Sequence, residues 1–220
     1  MSSDGFVAAE VKRGDCFRLL AACFYPPDRK ALLEEDVPGN LRRLLESVCP
    51  EAASHAEGMA GALSRTEDVE LAAAHAKLFV GPFELQAPPY GSVYLDSGRR
   101  LMGDSTIEVL RFYRRAGLSL IADFEEAPDH IAAELEFMYY LVGKETRAIR
   151  HGDRNGAYGY LEMQRKFQGN YLRPWVEPFC ESIRTGSDHE FYRLLADGLS
   201  TFIMNTPVPG TLPEKLGPEA

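Results

Sequence analysis

The segment 87-APPYGSVYLDSGRRLMGDST-106 interrupts a sequence that otherwise follows helical patterns. Pro88, Pro89 and Gly91 near its start disfavour a helix, because proline lacks a backbone N–H and glycine loses the most conformational freedom on folding. Its aromatic and aliphatic side chains nevertheless make it too apolar for a disordered loop. Ordered loops longer than about 12–15 residues within a compact domain usually have a function. The pattern therefore predicts a functional, non-helical loop over 81–104.

On both sides of this loop, apolar residues recur at the three- and four-residue spacing of amphipathic helices. Pro128 is expected to be the first residue of a long helix, where its missing N–H costs nothing. No alternating pattern is long enough to form a β-sheet. The predicted helices cover 7–24, 28–35, 39–48, 51–64, 67–79, 105–117, a long stretch from Pro128, 156–171, 174–184 and 188–204.

These patterns predict an all-α protein that forms a single helical domain of about ten helices. The helices fall into two groups, and the long loop joins them as a hinge. Four prolines after Thr206 predict a Pro-rich tail that is frayed. The predicted organisation is a domain over 1–205, with an N-terminal helical group at about 6–80, the loop at 81–104 and a C-terminal helical group at 105–205, followed by the tail at 206–220.

Composition excludes several classes of partner. The formal net charge of −9 makes nucleic acid and anionic membranes poor partners and favours a basic ligand. The four cysteines form no CxxC pair and are expected to be buried thiols in a reducing compartment. No apolar run approaches the ~18 residues that a membrane-spanning helix needs. The sequence therefore predicts a cytoplasmic protein without an integral membrane segment.

The negative charge is concentrated in one stretch, 116–143, which has six acidic residues and no Lys or Arg. If Pro128 starts the helix, Asp129 and His130 lie in its first turn, where a carboxylate is favoured by the free N–H groups. His130 and Glu134 would be one turn apart and could face each other. Two interpretations stay open: helix capping with solvated carboxylates, and recognition of a cation. The acidic residues are Asp123, Glu125, Glu126, Asp129, Glu134 and Glu136.

Motifs for catalysis are missing. The sequence has no phosphate-binding GxxxxGK[ST] loop, no GxSxG nucleophile elbow and no HExxH zinc motif. A cluster of acceptors with one imidazole suits binding of a cation better than turnover. We therefore expect no catalytic residue, no metal and no cofactor. The alternative is a metal-dependent helical-bundle hydrolase that uses Glu126, His130 and Glu134 as ligands.

Three motifs stand in order along the chain: LFVGPFELQAPPYGSVYLD at 78–96, LMGDST at 101–106 and EAPDHIAAELEFM at 126–138. Together they resemble the TorD/DmsD/NarJ family of chaperones, which serve the assembly of molybdopterin-containing oxidoreductases. The resemblance covers about 70–205 and is greatest to the DmsD-like branch, the chaperones of dimethyl sulfoxide reductase, through the runs GSVYLD and GDST. The C-terminal runs YLRPWVEPF and FYRLLADGLSTFI also fit this family.

The resemblance implies an all-α fold and a cytoplasmic chaperone that is not an enzyme. Such a chaperone binds the twin-arginine leader and the apo form of a molybdopterin oxidoreductase catalytic subunit, and it aids cofactor insertion before Tat export. Components of the Tat translocase are further partners that the resemblance implies, and nucleic acid is not one. The client enzyme, the choice between monomer and homodimer, and the binding of nucleotide or molybdopterin stay open.

The resemblance also assigns peptide-binding residues. A twin-arginine leader carries a basic pair followed by an apolar stretch, so its receptor needs carboxylates beside an apolar groove. We expect the acidic stretch to supply the carboxylates and the loop to supply the wall. Tyr90 departs from close relatives, which often have Trp there, so leader preference is open at this position. The assigned residues are Glu126, Pro128, Asp129 and His130 in one motif, Leu78, Phe79, Gly81 and Pro82 in a second, and Pro88, Pro89, Tyr90, Gly91, Ser92 and Tyr94 in a third, with Glu134 added from the acidic stretch.

An alternative for the loop is that its aromatic side chains fill the core between the two helical groups. Tyr94 and Leu95 would point in opposite directions in an extended chain, so at least one of them is expected to be buried. Direct ligand contact is therefore expected first for Tyr90 and Ser92.

Overall fold

The computed structural model describes residues 2–81, 85–118 and 127–217, and in these ranges the chain is built from helices without a β-strand. Two π-helical turns, Ala76–Val80 and Gln168–Leu172, continue helices α5 and α9. The α-helices are α1 (Ser3–Ala22), α2 (Arg29–Glu34), α3 (Val37–Val48), α4 (Pro50–Arg65), α5 (Asp68–His75), α6 (Gly91–Leu95), α7 (Asp104–Arg115), α8 (Ile131–Arg150), α9 (Arg154–Phe167), α10 (Arg173–Gly186) and α11 (Glu190–Asn205).

Side-chain caps fix where several helices begin. Ser2 Oγ accepts a hydrogen bond from the N–H of Gly5 at the start of α1. Asp28 and Asp153 do the same for α2 and α9, each with an O···N distance of 2.9 Å. These caps satisfy N–H groups that have no partner inside the helix, which is why short polar residues stand at these positions.

The prediction of a single all-α domain is confirmed, because the helices share one apolar core. Helix α1 packs along α8, and α4 packs against both α3 and α11. Phe17 of α1 meets Phe202 of α11 edge-on, with ring centroids 4.9 Å apart. Elements before and after the loop therefore contribute to the same core. The division into an N-terminal and a C-terminal group stays a prediction.

Two expectations about local structure are wrong. The loop contains a short helix, α6, and a carboxylate from elsewhere in the fold accepts from the N–H of Ser92 in its first turn. The long helix α8 begins at Ile131, not at Pro128. His130 is its N-cap, with an extended backbone and a ring Nδ1 that accepts from the N–H of Ala132 at 3.2 Å. Pro128 and Asp129 stay outside the helix because this segment pairs with the loop.

The expectation of a frayed tail is also wrong for residues 206–217, which dock on the domain. The N–H of Gly217 donates to the carbonyl of Ile149 at 3.0 Å, and Arg154 and Arg165 donate to tail carbonyls. Leu212 and Leu216 pack on a second apolar cluster. This cluster consists of Phe6, Val7, Ala148, Ile149 and Ala157.

The cysteines follow the sequence prediction, since all four are buried free thiols. Burial raises the pKa of the Cys23 thiol to about 12, which keeps it protonated and unreactive. Within the described ranges, no helix combines the length and the apolar character that crossing a membrane requires.

A polar network is buried where α1, α8 and α9 meet. The Arg13 guanidinium donates to both carboxylate oxygens of Glu10, at 2.9 and 2.5 Å, and also to the side-chain oxygen of Gln164. The Gln164 amide nitrogen donates in turn to Glu145. Burial, with a smaller contribution from Glu10, raises the pKa of Glu145 to about 8. The network thus holds one ion pair and one carboxyl group that stays protonated at neutral pH.

Replacing Glu145 by Gln should flatten the pH dependence of stability. From about pH 4.5 to about pH 8 the folded protein keeps a proton on Glu145 that the unfolded chain releases. The free energy of unfolding therefore falls as pH rises, by up to ~1.4 kcal/mol per pH unit. The amide oxygen of Gln can still accept from Gln164, so Glu145→Gln should lose this slope and stay folded. Urea unfolding at several pH values measures it.

Glu136→Gln is the matched control, because Glu136 is exposed on the same helix. The free energy of unfolding of this variant should change with pH as steeply as that of the unmodified protein. Identical slopes for the unmodified protein and Glu145→Gln would show that Glu145 is ionised in the folded state.

Candidate functional site

The loop and the segment before α8 are joined by backbone hydrogen bonds. The N–H of Gly91 donates to the carbonyl of Asp129, and the N–H of Ile131 donates to the carbonyl of Pro89, both at 2.8 Å. Between these two bonds, Tyr90 and His130 form an isolated antiparallel β-bridge. The two motifs, far apart in the sequence, therefore lie side by side in the fold.

Asp129 is buried and holds the loop in place through a hydrogen bond. Its side chain is 1% exposed, and Oδ2 accepts from the N–H of Ser92 at 2.7 Å. This bond caps the start of α6, so the carboxylate serves α6 and not, as expected, the first turn of α8. Two buried oxygens beside it, Asp129 Oδ1 and Ser92 Oγ, have no hydrogen-bond partner within the described residues. Such acceptors are costly to leave unpaired, and a donor brought by a ligand would satisfy them.

Glu134 lies behind the loop and not opposite His130, as the one-turn spacing had suggested. Its Oε2 accepts from the indole N–H of Trp175 at 3.0 Å, and the side chain is fully buried. Burial raises the pKa of the Glu134 carboxyl well above its ordinary value, which favours the neutral form. Tyr94 stacks on the other side of Trp175, with ring centroids 5.7 Å apart. Glu134 and Tyr94 therefore support the loop from within.

An aromatic cleft of about 300 Å³ opens in front of the β-bridge. His130 lies between two tyrosines: its ring is nearly parallel to Tyr25 at 6.4 Å and edge-on to Tyr90 at 5.4 Å. Tyr25 follows α1, and no sequence motif marked it. The cleft is lined by Phe24, Tyr25, Pro26, His75, Phe79, Val80, Leu85, Tyr90, Leu101 and His130.

The structure divides the sequence-predicted residues into two sets. Phe79, Tyr90 and His130 line the cleft. The others within the described ranges lie behind it or at its edge. Glu126 and Pro82 fall outside the described residues. The supporting set consists of Leu78 in the core, Gly81 with a positive φ, Pro88 and Pro89 just before the β-bridge, Gly91 and Ser92 at the start of α6, Tyr94 against Trp175, Pro128, whose carbonyl accepts a hydrogen bond from the Tyr113 hydroxyl, and the buried residues Asp129 and Glu134.

A metal centre finds no support in the described ranges. They contain no group of three or more His, Cys, Asp or Glu side chains arranged to hold an ion. His130 and Glu134, two of the three ligands in the hydrolase alternative, turn to different partners. The third, Glu126, lies outside the described residues.

The fold and the cleft define a class: an all-α protein with an aromatic cleft next to a buried carboxylate and no recognised catalytic motif. The family model described as "Nitrate reductase delta subunit" matches residues 44–181, more than half of the chain. The chain belongs to this family. The resemblance to the TorD/DmsD/NarJ family drawn from its motifs is thereby confirmed, and its relatives are chaperones, not enzymes.

Relatives support the same assignment. The Tat proofreading chaperone DmsD of Salmonella typhi is 29% identical over 187 residues, which cover 81% of this chain and 80% of the relative. The chaperone protein TorD of Photobacterium profundum is 27% identical over 61% of each chain. A crystal structure from Archaeoglobus fulgidus, described as a redox enzyme maturation protein, matches with a TM-score of 0.57 and 22% identity, covering 87% of this chain and 93% of that one. That likeness establishes the shared fold.

Replacing Gly91 by Ala should destabilise the protein by about 1–3 kcal/mol, because the new methyl group overpacks the support of the loop. An added Cβ would lie 3.0 Å from Trp175 Nε1 and 3.3 Å from Glu134 Oε1, and both neighbours are fully buried. Trp175 is the only tryptophan of the chain, so its fluorescence reports the change directly. Urea unfolding followed by this fluorescence measures the effect.

Gly143→Ala on α8 is the control, since a Cβ there meets nothing within 4 Å. It should stabilise the protein by up to about 1 kcal/mol, because alanine favours a helix. Equal effects of the two substitutions would contradict the close packing at Gly91.

Proposed function

We propose that this protein is a cytoplasmic chaperone that binds the twin-arginine leader and the apo form of a molybdopterin oxidoreductase catalytic subunit. It aids insertion of the cofactor before export by the Tat translocase, whose components are further partners. It acts as a monomer or a homodimer. The biological setting comes from the relatives, whose names describe a Tat proofreading chaperone and a TorD chaperone.

The observation that carries this proposal is the β-bridge between Tyr90 and His130. It unites an open aromatic cleft with a buried carboxylate that has one oxygen unpaired within the described residues. A leader needs both features in one place, since its arginines require acceptors and its apolar stretch requires a dry surface. Separate locations for the two motifs would have removed the physical basis for leader binding.

The chemistry of arginine fits this arrangement. A guanidinium group presents several N–H donors in a fixed plane, so one group can pair with two acceptors at once, and the proposal assigns Asp129 Oδ1 and Ser92 Oγ to this role. A hydrogen bond between charged groups contributes roughly 1.5–3 kcal/mol when water is excluded. The rings of Tyr25, Tyr90 and His130 offer flat surfaces on which a guanidinium or an apolar side chain can stack. The net charge of −9 adds a long-range attraction for a cationic segment.

Replacing Asp129 by Asn should weaken binding of a twin-arginine leader peptide roughly 10- to 100-fold. The substitution removes the charge but keeps an oxygen that can accept from the N–H of Ser92, so the loop should stay in place. Isothermal titration calorimetry with the leader of a molybdopterin oxidoreductase subunit measures the affinity. A peptide with Lys-Lys in place of Arg-Arg should also bind more weakly to the unmodified protein, because an ammonium group cannot form a bidentate pair.

Asp104→Asn on α7 is the matched control, since Asp104 is exposed and the change in charge is the same. It should leave the affinity nearly unchanged. Near-ultraviolet circular dichroism checks that each variant keeps its tertiary packing. Leader affinity that is equal in Asp129→Asn and in the unmodified protein would exclude Asp129 as the arginine acceptor.

A further inference from the structure

The loop between α6 and α7 has a closed base. Both carboxylate oxygens of Asp96 accept from the N–H of Ser105, at 3.3 and 3.2 Å, and Oδ2 also accepts from the Ser105 hydroxyl at 3.0 Å. Gly103 packs so closely on this carboxylate that an added Cβ would lie 2.0 Å from Asp96 Oδ2. Hydrogen bonds between Asp96 and Ser105 therefore hold the two ends of the segment 97–103 close together.

The tip of this loop has an unusual backbone. Arg99 and Met102 adopt left-handed conformations, with φ of +50° and +60°, which non-glycine residues seldom occupy. Conformations of this kind cost free energy and cluster at ligand clamps and switch regions. The two left-handed residues enclose Arg100 and Leu101, so the tip presents a defined Arg-Arg-Leu-Met turn.

The side chains of this turn face outward. Leu101 is 54% exposed and Met102 is 61% exposed, although both are large and apolar. Within the described residues, neither Arg99 nor Arg100 forms an ion pair with a carboxylate. Ion pairs within the described residues therefore do not explain the two arginines of this turn.

Leu101 nevertheless lies at the aromatic cleft, where it shares the lining with Tyr90 and His130. Leu101 is the residue of the turn that lines the cleft, and in the sequence Arg99 and Arg100 stand directly before it and Met102 directly after it. This order of side chains is the chemistry that we propose for the ligand: a basic pair and then an apolar stretch.

We propose that the segment 97–103 is an intramolecular competitor that mimics a twin-arginine leader and occupies the cleft edge of the free protein. This inference rests on the proposed function. A leader must displace Leu101, so the apparent affinity is the intrinsic affinity reduced by the fraction of molecules in which the loop has left the cleft. The competitor therefore raises the apparent dissociation constant of every peptide. A peptide that binds weakly then loses a larger share of its bound fraction than a full leader does.

The double substitution Leu101→Ser with Met102→Ser tests the competitor. Both side chains are exposed, so the fold should be retained, and circular dichroism checks this. Calorimetry with the leader peptide should show about three- to tenfold tighter binding, because the loop no longer competes. Val69→Ser, at an apolar residue on α5 that is 80% exposed, is the matched control and should leave the affinity unchanged. Unchanged or weaker binding by the double variant overturns the proposal, and weaker binding would make Leu101 part of the leader site itself.

A synthetic peptide with the sequence of 96–105 provides the direct test. It should bind the Leu101→Ser/Met102→Ser variant, and the leader should displace it. Failure of this peptide to bind overturns the competitor. If the unmodified protein and all variants bind this peptide but no twin-arginine leader, the proposed function fails while the loop's affinity for the cleft stands.

Discussion

The backbone pairing between the loop and the segment before α8 is the constraint on which the site depends. Backbone N–H and C=O groups that leave water must find partners, and in a helical protein most partners lie within a helix. The extended residues around Tyr90 have no sheet to join. They pair with residues 128–131, and this pairing delays the start of α8 until Ile131. The same pairing turns Asp129 inward under α6 and leaves His130 facing the cleft, so one set of hydrogen bonds positions both halves of the site.

Sequence patterns predicted the helices well because their signals are local. Helical spacing, caps and proline stops act within a few residues, and the predicted elements appear close to their expected bounds. Prediction from local sequence failed where a contact with a residue far along the chain determines the structure. Pro128 is a good first residue for a helix, but the bonds between the loop and Ile131 override it. Tyr25 carries no local signal at all, because only the packing of the turn after α1 against the loop brings it to His130.

Counting formal charges gave an incomplete picture of the acidic stretch. Six carboxylates between 116 and 143 suggested a dense negative surface, yet Glu134 is fully buried against Trp175 and favours its neutral form. Glu134 was expected to contact the peptide and instead supports the loop from a buried position. Only the fold could reveal this, since its partner Trp175 lies on another helix. Among the described carboxylates of this stretch, Asp129 is the one beside the bridge residue His130.

A cleft built only from aromatic rings would accept many apolar peptides, because stacking and burial discriminate weakly between similar side chains. Unpaired buried acceptors provide a second basis for discrimination between peptides. Asp129 Oδ1 and Ser92 Oγ are buried without partners in the described part of the chain, and unpaired buried acceptors carry a free-energy cost. An apolar peptide in the cleft supplies no donors and leaves that cost in place. Under the proposed function, a leader whose arginines reach these two oxygens would be distinguished from an apolar segment by the donors that relieve this cost.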